Sequence, residues 1–206
     1  PIKRTSRFYV GYMVPASDSL SAATLEPQFH VRHAPSLVGR GEEFPETGQA
    51  IYYVEVGSAV YTASFALDIT GIGYSSTFKI EDVIGREERG RRAEAALSAL
   101  YYLLAGVFGA KRSRFLPDYR LLSVVAAVSM GAPFMVSPGH GTGYARETLE
   151  RTRAFKEVTD SEVKLLVYAS EKVDLPEEVE VHGTLEDLIK GLRDSALASL
   201  KEVEGA

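Results

Sequence analysis

Three cationic side chains lie within four positions in the middle of the chain, between two phenylalanines. The basic segment, residues 108–117, reads Phe-Gly-Ala-Lys-Arg-Ser-Arg-Phe-Leu-Pro, and its cations are Lys111, Arg112 and Arg114. A turn that only reversed the chain would need Gly, Asn or Asp rather than three cations beside aromatic rings. Arg and Lys neutralise phosphates, and an aromatic ring such as Phe115 stacks on a base. The basic segment therefore predicts contact with a phosphate-bearing polymer.

Two further cationic groups stand beside predicted strands. They are Lys3, Arg4 and Arg7 before a strand predicted over 8–14, and His30 and Arg32 in the run Gln-Phe-His-Val-Arg over 28–32. Alternation along a strand places His30 and Arg32 on one face, where they have the groups to hydrogen-bond a sugar-phosphate backbone. Aromatic residues accompany the three groups: Phe8, Tyr9, Phe29, Phe108 and Phe115. The pattern favours a groove for single-stranded nucleic acid.

Other interpretations of the same residues stay open. Lys111 and Arg112 follow a predicted helix and could act as caps at the negative end of its dipole, which would account for one cation but not for three. Lys3, Arg4 and Arg7 are equally compatible with a solvated terminus. His30 could be a general base, with Lys111 or Arg112 stabilising the transition state of a metal-independent RNA cleavage. A protein-only scaffold that touches no nucleic acid is the third possibility.

Metal and nucleotide sites are not expected. His30 and His33 have a spacing that points their rings to opposite faces of a strand, and no carboxylate accompanies them. The glycines around 106–111 fail the spacing of a phosphate-binding loop, and the glycine-rich stretch 138–143 has no lysine. The sequence thus predicts no metal, no cofactor and no catalytic residue.

Charge is distributed unevenly over the 206 residues, whose formal net charge is −5. Residues 1–40 hold five Lys and Arg against two Asp and Glu, whereas residues 156–206 hold six against 13. This asymmetry is compatible with one basic face on an acidic protein. The absence of cysteine excludes disulfides and thiol chemistry and favours a reducing, cytoplasmic location. No apolar run approaches the ~20 residues of a membrane span, so no membrane association is expected.

The predicted elements form an α+β pattern. Strands are predicted over 8–14, 28–32, 49–56, 58–68, 119–128 and 163–169, helices over 86–107, 144–156 and a final stretch capped at Thr184, and loops over 17–27, 33–48, 69–85 and 130–143. The two strands around Gly57 form either a hairpin or one strand bent by a bulge. We expect helices packed on one face of a mainly antiparallel sheet. The loops at 33–48 and 130–143 are further candidates for clamping RNA.

Several strings together resemble a known family. They are Arg-Thr-Ser-Arg at 4–7, Gly-Tyr-Met-Val-Pro-Ala at 11–16, Gln-Phe-His-Val-Arg at 28–32, the basic segment, the stretch 55–62 and the helix 184–192. The chain resembles the archaeal CRISPR-associated Cas-seven (DevR) family over nearly all of its length. That family supplies the repeated backbone subunit of the type I-A Cascade interference complex.

The resemblance implies a fold and a function. The fold would be a modified RNA-recognition-motif (ferredoxin-like) domain over 1–206, lacking the family's N-terminal strand and insertion. The protein would be no enzyme but would bind CRISPR RNA independently of sequence, forming a helical filament with copies of itself. Its other partners would be further Cascade subunits and, through base pairing with the guide, target DNA. His30, Arg32 and the three cations of the basic segment would contact RNA, and endoribonuclease processing of CRISPR RNA is the alternative.

Overall fold

A computed structural model describes residues 5–16, 24–32, 50–75, 81–107, 119–170 and 173–203. The strands are β1 Phe8–Val10, β2 Val14–Pro15, β3 Thr24–Arg32, β4 Ala50–Ser58, β5 Tyr61–Thr62, β6 Phe65–Leu67, β7 Tyr74–Ser75, β8 Glu81–Asp82, β9 Ser123–Met130, β10 Glu162–Ala169 and β11 Val181–His182. The helices are α1 Arg86–Leu104, α2 Tyr144–Thr159 and α3 Leu185–Val203. Within these ranges, no helix is both long and apolar enough to span a membrane.

The first six strands form one long two-stranded antiparallel ribbon. β1 pairs with β6, β2 with β5 and β3 with β4, so the chain runs out along β1–β3 and returns along β4–β6. The pairing begins with Phe8 opposite Leu67 and ends with Arg32 opposite Ala50. We call this unit the ribbon, and its β1–β6 end the ribbon base.

The outgoing side of the ribbon is longer than the returning side. Gly11 donates to the Ser64 carbonyl while Val14 pairs with Thr62, so Tyr12 and Met13 stand opposite a single residue, Ala63. This two-against-one arrangement is a β-bulge. Further out, residues 17–23 intervene on the outgoing side where the returning side has only Ala59.

The ribbon corrects one sequence expectation and excludes one of two open alternatives. The loop predicted over 17–27 is wrong for residues 24–27, because β3 begins at Thr24. Pro27 lacks a backbone donor and argues against a central strand, but a two-stranded ribbon has only edge strands, where proline is tolerated. The segments 49–56 and 58–68 do not form a hairpin with each other, since both pair with the outgoing strands. Gly57 lies inside β4 rather than at a break.

A second sheet has the order β11-β10-β9. β9 and β10 are antiparallel over their full length, from Glu162 opposite Met130 to Ala169 opposite Ser123, whereas β11 runs parallel to β10. Leu166 and Val167 are both buried although consecutive strand residues point to opposite faces. The sheet is therefore covered on both sides.

Different helices cover the two faces of this sheet. On the Leu166 face lies α3, where a Cβ on Gly191 would come within 2.8 Å of Leu166 Cδ2. On the other face α2 packs against β10, and the Tyr144 hydroxyl donates to Ser123 Oγ at 2.8 Å. The expectation of helices on one face is thus wrong. The reason is that β10 is apolar on both faces, so each face requires a cover.

The hydrophobic core lies between the second sheet, α1 and α3. Its buried residues are Leu104, Val128, Leu166, Leu185 and Leu188. Phe65 of the ribbon and Leu121, just before β9, pack against this cluster. The core therefore joins the ribbon base to the C-terminal end of α1 and to the entry of β9.

Most local predictions of the second half are confirmed with small shifts. α1 starts at the predicted Arg86 and ends three residues early, α2 starts at Tyr144 and extends to Thr159, and β9 is displaced to 123–130. Asp187 N donates to Thr184 Oγ1 at 3.1 Å, which confirms the predicted cap of α3. The region 69–85, predicted to be irregular, contains the short pair β7–β8.

Candidate nucleic-acid interface

The basic segment begins directly after a helix end that is closed by its own backbone. Val107 N donates to the Tyr102 carbonyl at 2.9 Å and Gly106 N to the Leu103 carbonyl at 3.1 Å. With Gly106 at φ +73°, these two bonds form a Schellman motif. Left-handed backbone favours glycine, so the sequence signal at this position was sufficient to predict the helix end.

The chain before and after the basic segment meets at one point. A Cβ on Gly106 would lie 2.8 Å from Cδ1 of Tyr119, so the ring packs directly against the glycine backbone. Burial raises the pKa of the Tyr119 hydroxyl, although almost half of this residue remains exposed. We call Gly106 and Tyr119 the anchor of the basic segment. Residues 108–118, with Lys111, Arg112, Arg114 and Phe115, lie outside the described residues.

Several carbonyls at the end of α1, which Lys111 or Arg112 could have capped, accept hydrogen bonds from the backbone. Besides the two Schellman bonds, the Tyr101 carbonyl accepts from Ala105 N at 2.8 Å. The carbonyls of Tyr101, Tyr102 and Leu103 thus have backbone donors and do not require Lys111 or Arg112 as caps. A capping role for Lys111 or Arg112 is thus restricted to the carbonyls of Leu104 and Ala105 and to the general attraction of the helix dipole for a cation.

Arg7 is held at the ribbon base by an ion pair. Its Nη1 donates to Asp68 Oδ2 at 2.9 Å, and its Nη2 lies 3.4 Å from the Tyr74 carbonyl oxygen. Asp68 also accepts from Gly71 N through Oδ1 at 2.9 Å. About a third of each charged side chain stays exposed. Arg7 is therefore positioned by a turn far along the chain, while Lys3 and Arg4 lie outside the described residues.

His30 and Arg32 occupy the other end of the ribbon. They are alternate residues of β3, with Tyr52 and Ala50 opposite them on β4. The strand predicted over 28–32 is confirmed as part of β3. Because 17 residues separate Ala50 from Asp68 along the returning side, the ribbon places Arg7 and Arg32 up to about 60 Å apart. A nucleic acid that touched both would have to follow the ribbon.

The two aromatic residues next to Arg7 point in different directions. Phe8 is half-buried, with its ring centroid 6.3 Å from that of Phe65, which in turn packs on the core beside Leu104. Tyr9 is on the opposite face of β1 and is exposed. The strand that follows Arg7 and the chain on both sides of the anchor thus contact the same core, through Phe65, Leu104 and Leu121.

The glycine- and proline-rich stretch before α2 is held against both α2 and the ribbon. Ser137 N donates to Thr148 Oγ1 at 3.0 Å, and Arg151 Nη1 donates to Ser137 Oγ at 3.1 Å. The Arg151 guanidinium lies 5.5 Å from the centroid of the Phe134 ring, a cation–π contact. A Cβ on Gly139 would lie 2.8 Å from Thr62 Oγ1 in β5. The irregular stretch predicted over 130–143 starts at Gly131, directly after β9. The other loop predicted to clamp RNA, 33–48, lies outside the described residues.

The acidic C-terminal part neutralises the cations beside it. Four exposed ion pairs join α2 and β10 to carboxylates of residues 162–180: Arg146–Asp174, Arg153–Glu178, Lys156–Glu162 and Lys164–Glu180. Arg146 donates twice to Asp174, at 2.8 and 2.9 Å, and lowers the pKa of that carboxyl. This surface offers a polyanion little net positive potential.

Comparison with known proteins gives several matches. The family model described as CRISPR-associated negative auto-regulator DevR/Csa2 matches residues 1–149. The chain is 42% identical over 201 residues to the CRISPR-associated aCascade subunit Cas7/Csa2 2 of Saccharolobus solfataricus, covering 94% of this chain and 60% of that protein. It is 32% identical over 167 residues to the Cas7/Csa2 1 protein of the same organism, covering 80% and 49%.

A solved structure matches as well. A chain of a CRISPR RNA-guided surveillance complex aligns with a TM-score of 0.50 and 14% identity, covering 84% of this chain and 66% of that one. At this identity the match shows a shared fold. The chain spans 60% and 49% of the length of the two curated relatives. Since the family model matches well over half of the residues, the chain belongs to the DevR/Csa2 family of Cas7 proteins.

Proposed function

We propose that this chain binds CRISPR RNA as a backbone subunit of an archaeal type I, Cascade-like interference complex, and that it does so independently of RNA sequence. Its family membership supports the assignment. The observation that carries it is the anchor: α1 ends in a backbone Schellman motif, and the chain leaves and returns at Gly106 and Tyr119. The described residues on both sides of the basic segment thus lie together at one place on the fold, and we propose that the cations of this segment bind phosphates.

The chemistry of capture follows from the residue types. Lys111, Arg112 and Arg114 fix phosphates, His30 and Arg32 bind the sugar-phosphate backbone along the ribbon, and Phe115 stacks on a base. Lys3 and Arg4 add positive charge to the segment that leads into β1, and Arg7, paired with Asp68, contributes its guanidinium to RNA binding at the ribbon base. Because base edges are not read, any guide sequence is accepted and the bases remain available to pair with target DNA. Each phosphate neutralised on a single strand adds about −0.7 to the log–log salt slope.

The remaining parts of the proposal concern assembly and fold. Copies of the protein line up along the RNA as a helical filament, with further Cascade subunits at its ends or sides. The domain is a variant of the RNA-recognition motif, and the protein acts by binding rather than by catalysis. The acidic surface around α2 stays off the RNA and faces neighbouring protein subunits.

RNA binding is tested by fluorescence anisotropy with two single-stranded RNAs of unrelated sequence, over a series of salt concentrations. We expect Arg112→Ala and His30→Ala to weaken both RNAs by similar factors, and Arg112→Ala to reduce the salt slope by about 0.7. Arg153→Ala is the matched control, because it removes the same charge from the acidic surface. Loss of affinity for one RNA alone, or equal losses in Arg112→Ala and Arg153→Ala, would contradict the proposal.

One incubation distinguishes RNA binding from the two alternative functions, RNA cleavage and a protein-only scaffold. The protein is mixed with CRISPR repeat RNA in EDTA at low salt and analysed on native and denaturing gels. We expect RNA that is shifted but intact. Discrete cleavage products that disappear in His30→Ala would assign an endoribonuclease instead. Unchanged mobility at low salt would assign a scaffold that does not touch nucleic acid.

A further inference from the structure

One face of the ribbon base points away from the core. Residues that stand opposite each other in an antiparallel pair share a face, as do alternate residues of one strand. The pairing of β1 with β6 therefore defines one set, which we call the outer face: Arg7, Tyr9, Gly11, Ser64, Ala66 and Asp68. Phe8 and Phe65 belong to the other face, which packs towards the core.

Tyr9 is the one large apolar side chain in this set, and the residues opposite it and further along the ribbon are small. Ala66 stands directly across the ribbon, with Gly11 next along β1 and Ser64 diagonally opposite. The backbones approach closely here, since a Cβ on Gly11 would lie 3.2 Å from the Ser64 carbonyl oxygen. These three residues are too small to cover the ring, and 47% of Tyr9 is exposed.

Arg7 is a polar residue of the outer face and lies at its edge, two residues before Tyr9. The guanidinium is fixed by Asp68 and packs on Gly71, where a Cβ would lie 2.8 Å from its Cζ. An arginine held in place next to an exposed aromatic ring loses little conformational entropy when a ligand binds. The pair has nearly no net charge, so the face favours stacking over attraction of phosphates.

From these contacts we infer that the outer face is a stacking site for an RNA base, with Tyr9 as the platform. An aromatic ring on an open sheet surface accepts the face of any base, which fits binding without sequence preference. The inference rests on the proposed function and adds to it a contact that involves no cation. It also separates Tyr9 from Phe8, because the sequence offers both rings while the structure leaves only Tyr9 open.

The test compares Tyr9→Leu with Tyr61→Leu. Tyr61 has nearly the same exposure, 48%, on the same ribbon, but it stands four residues before Phe65 and so on the other face. Binding is measured by anisotropy with a mixed-sequence single-stranded RNA and with an RNA of equal length that lacks its bases. We expect Tyr9→Leu to weaken the intact RNA at least about five-fold, and Tyr61→Leu to stay within about two-fold of wild type.

Three further results are expected. Tyr9→Phe binds within about two-fold of wild type because its ring still stacks. Tyr9→Leu leaves the salt slope unchanged because no phosphate contact is lost. Wild type and Tyr9→Leu bind the base-free RNA with equal affinity. In this double-mutant cycle, removing the bases leaves Tyr9 without its partner, so its replacement has no further effect. Tyr9→Thr, which favours a strand, replaces Tyr9→Leu if thermal melting shows that the leucine variant is unfolded.

Specific outcomes overturn the inference. Equal affinities of Tyr9→Leu and Tyr61→Leu for intact RNA would remove the stacking site and leave the proposed function standing. Persistent weakening of Tyr9→Leu on base-free RNA would also remove it, because the defect would not involve bases. A wild-type protein that binds neither RNA would instead remove the proposed function, and this site with it.

Discussion

Replacing Gly106 by alanine tests the anchor of the basic segment. Alanine in a left-handed conformation costs ~1–2 kcal/mol, and the residue has φ +73°. The new Cβ would lie 2.8 Å from Cδ1 and 3.3 Å from Cγ of Tyr119, closer than ordinary contact, so the ring must move. Because the ring is almost half exposed, it can shift outward without opening the core.

The expected loss of unfolding free energy for Gly106→Ala is therefore about 1–2 kcal/mol, mainly from the backbone strain. For a chain of this size, that lowers the melting temperature by about 2–8 °C. The assay is thermal unfolding followed by circular dichroism. RNA affinity, measured on the same samples below the transition, is expected to fall as well, since displacing Tyr119 loosens the base of the basic segment.

Gly90→Ala is the matched control in the same helix. Its Cβ would meet only Leu197 Cδ2, at an ordinary 3.8 Å. Alanine is better than glycine inside a helix by ~0.5–1 kcal/mol, so this variant should melt higher than wild type and bind RNA normally. An unchanged melting temperature in Gly106→Ala would refute the reasoning about strain. Destabilisation with RNA affinity equal to that of Gly90→Ala would refute the link between the anchor and binding.

Two further predictions concern helix and loop contacts. Thr184→Ala removes the side-chain acceptor of Asp187 N and should lower the free energy of unfolding by ~1 kcal/mol in urea titrations, whereas Thr184→Ser should cost much less because serine keeps the oxygen. A change in the urea midpoint equal for both variants would contradict the cap. The pKa of Asp174 is lowered by Arg146, so the pair stabilises the fold above about pH 4, where a free aspartate titrates, and that contribution is lost as pH falls below it. The melting temperatures of wild type and Asp174→Asn should therefore converge on acidification below about pH 4, and a difference that stays constant would contradict the assignment.

Local sequence signals were sufficient for the helices of the second half, but not for the short strand β11. In α3 the threonine cap and the apolar spacing of Leu185, Leu188 and Leu200 lie within one helix, so the start and the buried face were both predicted. The end of α1 was predicted within three residues, because the preference of Gly106 for left-handed backbone is a property of one residue.

Long-range pairing is what the sequence left open. The partner of β1 is 50 or more residues away, and nothing near Arg7 indicates that Asp68 will hold it. The error over the sheet faces has a visible cause. The continuous apolar run Val-Val-Ala-Ala-Val in β9 is typical of a strand covered on both sides, and this signal favours helices on two faces rather than one.

The cations of the candidate interface were identified from the sequence. The contacts of the residues beside them were visible only in the structure. Periodicity cannot tell whether Phe8 or Tyr9 is the open ring, because both faces of β1 carry an aromatic residue. The packing of Phe65 decides it by covering Phe8. The contact of Gly106 with Tyr119 was likewise invisible, since the two residues are separated by the basic segment itself.

The unequal interruptions of the ribbon determine where this protein tolerates changes in length. Tyr12 and Met13 stand opposite Ala63 alone, and the sequence has seven residues between Ala16 and Thr24 where the returning strand has only Ala59, so the extra length belongs to the outgoing side. Relatives could gain or lose residues between Ala16 and Thr24 while every paired block kept its neighbours. A single deletion within 59–64 of the returning strand would instead turn a whole block over, exchanging its inner and outer side chains. Natural insertions should therefore accumulate on the outgoing side, whereas the returning strand should keep a constant length among relatives.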